Sequence, residues 1–340
     1  MKKIFAFITI LIGSLCFVAC ANKNVQVEAK EGTIGSEPHQ YKIVATTFPQ
    51  YDWTKNILGE NPSKIELSLL LDSGIDLHNY QPTADDIMKI AGCDMFIYVG
   101  GESDKWVEGA LSHSTNPNLR VINLIEALGE KVKHEEIVEG MQDEHEEHDE
   151  DGEHDEDHHN ELEYDEHVWL SIKNAKILAQ EICDKICDMD KMNEIEYRTN
   201  TQKYITKLDE LDSKYLELTK NAAVKTLLFG DRFPFRYMVD DYGLSYYAAF
   251  SGCSAETEAS FETIIFLAKK VDELGLKNIM KIEGSNGRIA DTIRTNTKEK
   301  NQEILTLNSM QGTTSKDAQS GSTYISIMED NLDVLTKALE

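Results

Sequence analysis

A chain of 340 residues with 41% apolar side chains holds more material than one typical core uses, so two domains are the prior expectation. Its formal net charge of -27 excludes a nucleic-acid partner, whose phosphates require a basic face. The excess is uneven: fifteen acidic residues and no Lys or Arg lie between Asp143 and Glu166, an acidic field that attracts cations and repels like-charged polymers.

At the N-terminus Lys2 and Lys3 precede an apolar run from Ile4 to Val18, shorter than the ~20 residues that span a bilayer as a helix. A secretory signal over residues 1–19 is therefore expected rather than a membrane span. Phe17-Val18-Ala19-Cys20 resembles a bacterial lipobox, which makes Cys20 the expected lipidation site and residues 20–40 a polar tether without apolar period. With Cys16 in the signal and Cys20 carrying lipid, Cys93, Cys183, Cys187 and Cys253 remain. They read as buried small hydrophobes without an assigned role, although the spacing of four between Cys183 and Cys187 also suits a soft metal site.

Short apolar runs then alternate with helical periods. Strands are expected at 42–47, 65–71 and 94–99, with helices at 51–58 and 83–91 and further apolar runs at 107–111 and 121–124. Past the acidic tract a helix is expected over 174–187. A longer one over 193–221 has Ile205, Leu208, Leu211, Tyr215 and Leu218 at spacings of three and four. Such a helix, about 40 Å long, exceeds one sheet layer and suits a bridge between domains. The alternation resumes with strands at 225–229, 278–282 and 304–307 and helices at 234–241, 261–273, 291–300 and 324–339. This order predicts an α/β fold of two lobes, each a parallel sheet flanked by helices. The expected divisions are an N-terminal lobe over 41–190, with an unstructured His- and acid-rich loop at 134–163, a linker helix over 191–222 and a C-terminal lobe over 223–340.

In open parallel sheets ligands bind at the carboxyl ends of strands. The polar residues just past the apolar runs there are His78 in "DSGIDLHNYQPTADDI", His167 in "YDEHVWLSIKNA", Asp231 in "LLFGDRFPFRYMVDDYGL" and Glu283 in "IMKIEGSNGR". Each alone reads more readily as a helix-capping loop residue. Together, two imidazoles and two carboxylates form a mixed N and O donor set suited to a first-row metal.

The stretches "DLHNYQPTADDIMKIAGCDMFIYVGG" and "DEHVWLSIKNAKILAQEI" resemble the metal-binding motifs of the zinc- and manganese-binding lipoprotein subunits of bacterial ABC uptake transporters. "YMVDDYGL", "SAETEASFETIIFLAKKV" and the closing "GSTYISIMEDNLDVL" extend the likeness from Lys42 to the C-terminus. The resemblance implies two α/β lobes joined by a rigid long helix, with the metal in the cleft between lobes and His78 and His167 as N-lobe ligands. It implies Zn2+ as cargo, with Mn2+ the alternative, an ABC permease as partner, a monomer anchored outside the cytoplasm by lipid, and no enzymatic activity.

The chain departs from that pattern in its second half. Where relatives carry a His or Glu ligand, an ungapped count reaches Arg232, whose permanent charge bars coordination, so Asp231 is the expected third ligand. Where many relatives place a later Asp the chain has Asn308, and Glu283 is the expected fourth ligand. Zinc-type members often carry a His-rich acidic loop between the first two motifs. His145, His148, His154, His158 and His159 lie in that interval, separated by acids, and form an expected auxiliary collector. Two other functions compete with zinc capture: a secreted metallohydrolase, which needs an open coordination position and a placed acid or base, and a surface metal buffer acting through the tract alone.

Overall fold

The computed structural model describes residues 41–60, 65–142, 163–254 and 258–340. Cys20, the signal and tether, and His145, His148, His154, His158 and His159 lie outside the described residues. Among those described, no helix is long and apolar enough to cross a membrane.

The first half opens with β1 (Tyr41–Ala45), whose Ile43, Val44 and Ala45 are all buried. A strand with neighbours on both edges and helices on both faces has no solvent side, which explains an apolar run without alternation. After α1 (Phe48–Leu58) comes β2 (Ile65–Leu69), then α2 (Ala84–Ala91), β3 (Met95–Tyr98), α3 (Trp106–Leu111), β4 (Arg120–Asn123) and α4 (Leu124–Leu128). The strands form a parallel sheet in the order β2-β1-β3-β4. Helix α2 begins where Thr83 and Asp86 form a reciprocal capping box, the start signal that Pro82-Thr83 carries in the sequence.

Helices α5 (Ile172–Met189) and α6 (Glu194–Asn221) follow the acidic tract. In α6, Leu208, Leu211 and Tyr215 are buried, as their spacing predicts, and the helix ties both halves together. The Tyr204 hydroxyl donates to Asp52 Oδ2 of α1 at 3.4 Å, and the Tyr215 hydroxyl to the Met328 carbonyl at 2.6 Å.

The second half comprises β5 (Thr226–Phe233), α7 (Arg236–Tyr242), β6 (Ser245–Ser251), α8 (Phe261–Leu274), β7 (Asn278–Ile282), α9 (Arg288–Asn296), β8 (Glu303–Leu307), α10 (Ser315–Gln319) and α11 (Tyr324–Ala338). Its parallel sheet has the order β6-β5-β7-β8, repeating the first. In each sheet the second strand is added on one side of the first and the third on the other, so the loops diverge and leave a crevice at the strand ends. One continuous apolar core runs from Ile43 and Phe96 through Trp169, Leu208 and Tyr215 to Phe229, Leu307 and Met328. A smaller core around Phe250, Leu267 and Ile279 fills the outer side of the second sheet.

Three differences from the sequence reading bear on the site. Strand β5 continues past Phe229 through an irregularity between Phe229 and Arg232, so Asp231 sits within a strand rather than in a loop. Strand β6 was not anticipated. Residues 134–142, expected to belong to the unstructured loop, instead pack on the second half. Gln142 N donates to the Ala249 carbonyl at 3.0 Å, the Tyr246 hydroxyl donates to Glu136 Oε2 at 3.1 Å, and Arg236 pairs with that same carboxylate.

Candidate metal centre

Both predicted histidines come from the first half, His78 from the segment after β2 and His167 from the segment between the acidic tract and α5. His78 lies in a single 3-10 turn (Leu77–Asn79) after β2, where the Asp76 carboxylate caps the turn by accepting from His78 N at 3.0 Å. His167 precedes another such turn (Val168–Leu170), and its N–H donates to Asp165 Oδ1 at 2.8 Å. The apolar Val168-Trp169-Leu170 that follows is buried, and Trp169 Nε1 donates to the Ser309 carbonyl at 2.8 Å, across in the second half. The first apolar turn after the polar tract therefore anchors His167 in the body of the fold.

The two imidazoles face each other with Nε2 atoms 3.2 Å apart. Two nitrogens bound to one tetrahedral zinc at 2.0–2.1 Å stand about 3.3 Å apart, so the spacing already fits a shared cation. The far ring nitrogens are held from behind. His167 Nδ1 lies 3.0 Å from Asp165 Oδ1, an acceptor only, so that nitrogen carries the proton and Nε2 keeps its lone pair. His78 Nδ1 lies 2.7 Å from Ser103 Oγ, with Glu166 Oε2 at 3.4 Å. Glu166 is fixed by the Ser103 amide, which donates to its Oε1 at 2.8 Å. Gly101, at φ +85°, passes so close that a Cβ there would lie 2.4 Å from Glu166 Oε1. Only glycine suits both that backbone and that gap.

Burial and the neighbouring His167 and Arg232 push His78 down to about 3, against the pull of Asp76. For His167 burial works in the same direction, but Asp165, with Asp76 and Glu166, outweighs it and raises the imidazole. Burial lifts Glu166 to about 7.

Asp231 and Glu283 are not brought into this group. Asp231 Oδ1 accepts from Arg232 N at 3.0 Å and Oδ2 from Ile282 N at 3.4 Å, because the extension of β5 turns the carboxylate onto its own sheet. Glu283 accepts from Ser309 N and from Ser309 Oγ, both at 2.6 Å. Both line an adjacent cleft of about 370 Å³ together with Asp76, Arg232 and Gln311. The Arg232 guanidinium donates to Asp76 Oδ2 at 2.6 Å and to the Ser254 carbonyl at 3.2 Å, joining the halves beside the histidines.

The group that does form, among the described residues, is His78, His167 and Cys253, with ligating atoms all within 4.8 Å of one another. Cys253 had no role in the sequence reading. It lies two residues past the end of β6, the same strand-end position that singled out the others, but that strand was not recognised. Burial, with the carboxylates of Glu135, Asp165 and Glu166, pushes its thiol well above the ordinary range.

A family model described as ZnuA, zinc-uptake complex component A, periplasmic, matches residues 43–338. The chain is 30% identical over 343 residues to the zinc-binding lipoprotein AdcA of Streptococcus pneumoniae strain R6, covering 100% of this chain and 62% of that protein. Against the zinc-binding protein AdcA of Streptococcus pyogenes strain MGAS315 the identity is 28%, and the chain spans 55% of that relative's length. The high-affinity zinc uptake system protein ZnuA of Bacillus subtilis is 29% identical, with 99% of this chain and 98% of that protein covered. The crystal structure of the Zn(II)-bound ZnuA-like domain of Streptococcus pneumoniae AdcA superposes with a TM-score of 0.66 at 27% identity, covering 88% of this chain and 99% of that one. With two like parallel sheets, a paired-imidazole site and a family match over nearly the whole folded chain, the protein belongs to the ZnuA family of zinc-uptake components.

Proposed function

We propose that the chain captures Zn2+ outside the cytoplasm through His78 and His167 and hands it to an ABC permease for uptake, anchored to the membrane by lipid on Cys20. The observation that carries this reading is the 3.2 Å approach of two Nε2 atoms whose far nitrogens are held by Asp165 and Ser103. That arrangement holds a cation between fixed neutral donors. Zinc-binding and zinc-uptake relatives support the same cargo. Capture and handover require no reaction at the site, so the chain acts as a carrier and not as an enzyme. Asp231 and Glu283 shape the cleft beside the ion, and the tract histidines raise the local supply of metal. Metal analysis of protein purified without added metal, followed by competitive zinc titration of the wild type and His78→Ala, tests the reading. One tight zinc lost on substitution is expected; manganese in the purified protein, or zinc binding indifferent to His78, overturns it.

A further inference from the structure

We propose that Cys253 is a direct metal ligand, completing a donor set of two nitrogens and one sulfur (His78 Nε2, His167 Nε2 and Cys253 Sγ) that favours zinc over manganese. This rests on the reading of the site as a zinc carrier. Three observations converge. The three ligating atoms lie within 4.8 Å of one another, whereas a tetrahedral zinc with bonds of about 2.05 Å to nitrogen and 2.3 Å to sulfur places N and S about 3.6 Å apart. A contraction of about 1 Å, within reach of a side-chain rotation, closes the set. The backbone that carries the thiol is pressed onto the ligand ring: a Cβ at Gly252 would lie 3.1 Å from both Cε1 and Nδ1 of His167. Glycine there lets the next residue reach the same ion. Finally, Cys253 N donates to Glu135 Oε1 at 2.8 Å, which fixes the backbone of the cysteine.

Asp76 Oδ1 lies 3.9 Å from His78 Nε2, but that oxygen accepts from His78 N and its partner Oδ2 accepts from Arg232. Asp231 and Glu283 are engaged with backbone amides and Ser309, and Arg232 is committed to Asp76 and the Ser254 carbonyl. Binding forms an S–Zn bond and breaks the S–H bond, with the proton leaving to solvent; the charge of the ion drives the exchange. A thiolate is a soft donor suited to zinc, while manganese favours carboxylate and water oxygen.

The test uses the full chain loaded with Co2+ or Zn2+. The cobalt form should show a thiolate-to-cobalt charge-transfer band in the near ultraviolet, absent from Cys253→Ser, which still binds cobalt through its histidines. Zinc affinity of that variant should fall at least about a hundredfold, exceeding the loss of a mere supporting contact, and its preference for zinc over manganese should shrink. X-ray absorption of the zinc-loaded wild type, which needs no variant to fold, should show a sulfur neighbour at about 2.3 Å. A wild-type zinc shell of nitrogen and oxygen only, with His78-dependent binding intact, overturns the cysteine ligand and leaves the carrier reading standing. Zinc affinity unchanged by His78→Ala overturns the carrier reading itself.

Discussion

Removing one imidazole should disable tight zinc binding. Structural zinc sites supply about 10–16 kcal/mol, or about 3 kcal/mol for each of four ligands, which corresponds to roughly a hundredfold in affinity. His78→Ala and His167→Ala should each show a loss of that order in a competitive titration, whereas Arg232→Ala, which removes a charge committed to Asp76, should retain the site. A larger loss at Arg232 than at either histidine would contradict the assignment. The electrostatics of the pair make a second prediction. Because Asp165 raises His167 while burial and its neighbours lower His78 to about 3, His167 is the ring that takes a proton first as pH drops, and zinc affinity should fall as pH drops through the raised His167 value. Asp165→Asn removes the leading partner that holds the proton, so the fall should begin at lower pH. Identical pH profiles for the two forms, from titrations between about pH 8 and 5, would show that another group sets the dependence. The histidines were legible in the sequence because His78 lies past an apolar run and ahead of a Thr-capped helix, and His167 marks the change from polar tract to apolar turn. Cys253 was not, because it depends on a strand whose Ser and paired Ala residues carry little β signal.

Most elements could be read from periodicity. The central strands are apolar on both faces, and α6 repeats its buried positions over 28 residues. What escaped was governed by long-range contacts: β5 continues because Gly230 packs against Ala290, where a Cβ would lie 2.4 Å from the Ala290 Cα, and residues 134–142 are held by partners a hundred positions away. Composition near the tract suggested solvent, and tertiary pairing overrode it. Since α6 packs against α1, α5 and α11, truncating its fully buried Leu208 should cost about 2–5 kcal/mol. Denaturant unfolding of Leu208→Ala should show that loss in one transition for both halves. Two separated transitions would mean that the halves fold independently.

At the scale of the molecule the acidic tract and the ordered site have different tasks on the proposed function. Excision should be confined to residues 143–162, because Glu135 holds Cys253 and Gln142 is bonded to the second sheet. A segment of acids and histidines loses chain entropy when it closes on metal and binds more weakly than prepositioned rings. Calorimetric titration of the excised form should therefore keep one tight zinc and lose the weaker additional sites. Loss of the tight site from a still-folded protein would show that a tract residue belongs to it.

The unbroken core beneath both sheets bears on how long an ion stays. Drawing the halves apart would expose buried apolar surface at about 25 cal/mol per Å², so even about 200 Å² of opening costs about 5 kcal/mol. Such stiffness makes a wide hinge motion an expensive exit. On the proposed function and with Cys253 as a ligand, dwell time is then set by the short segments carrying His78, His167 and Cys253, and a receiver has only to displace those segments to empty the protein.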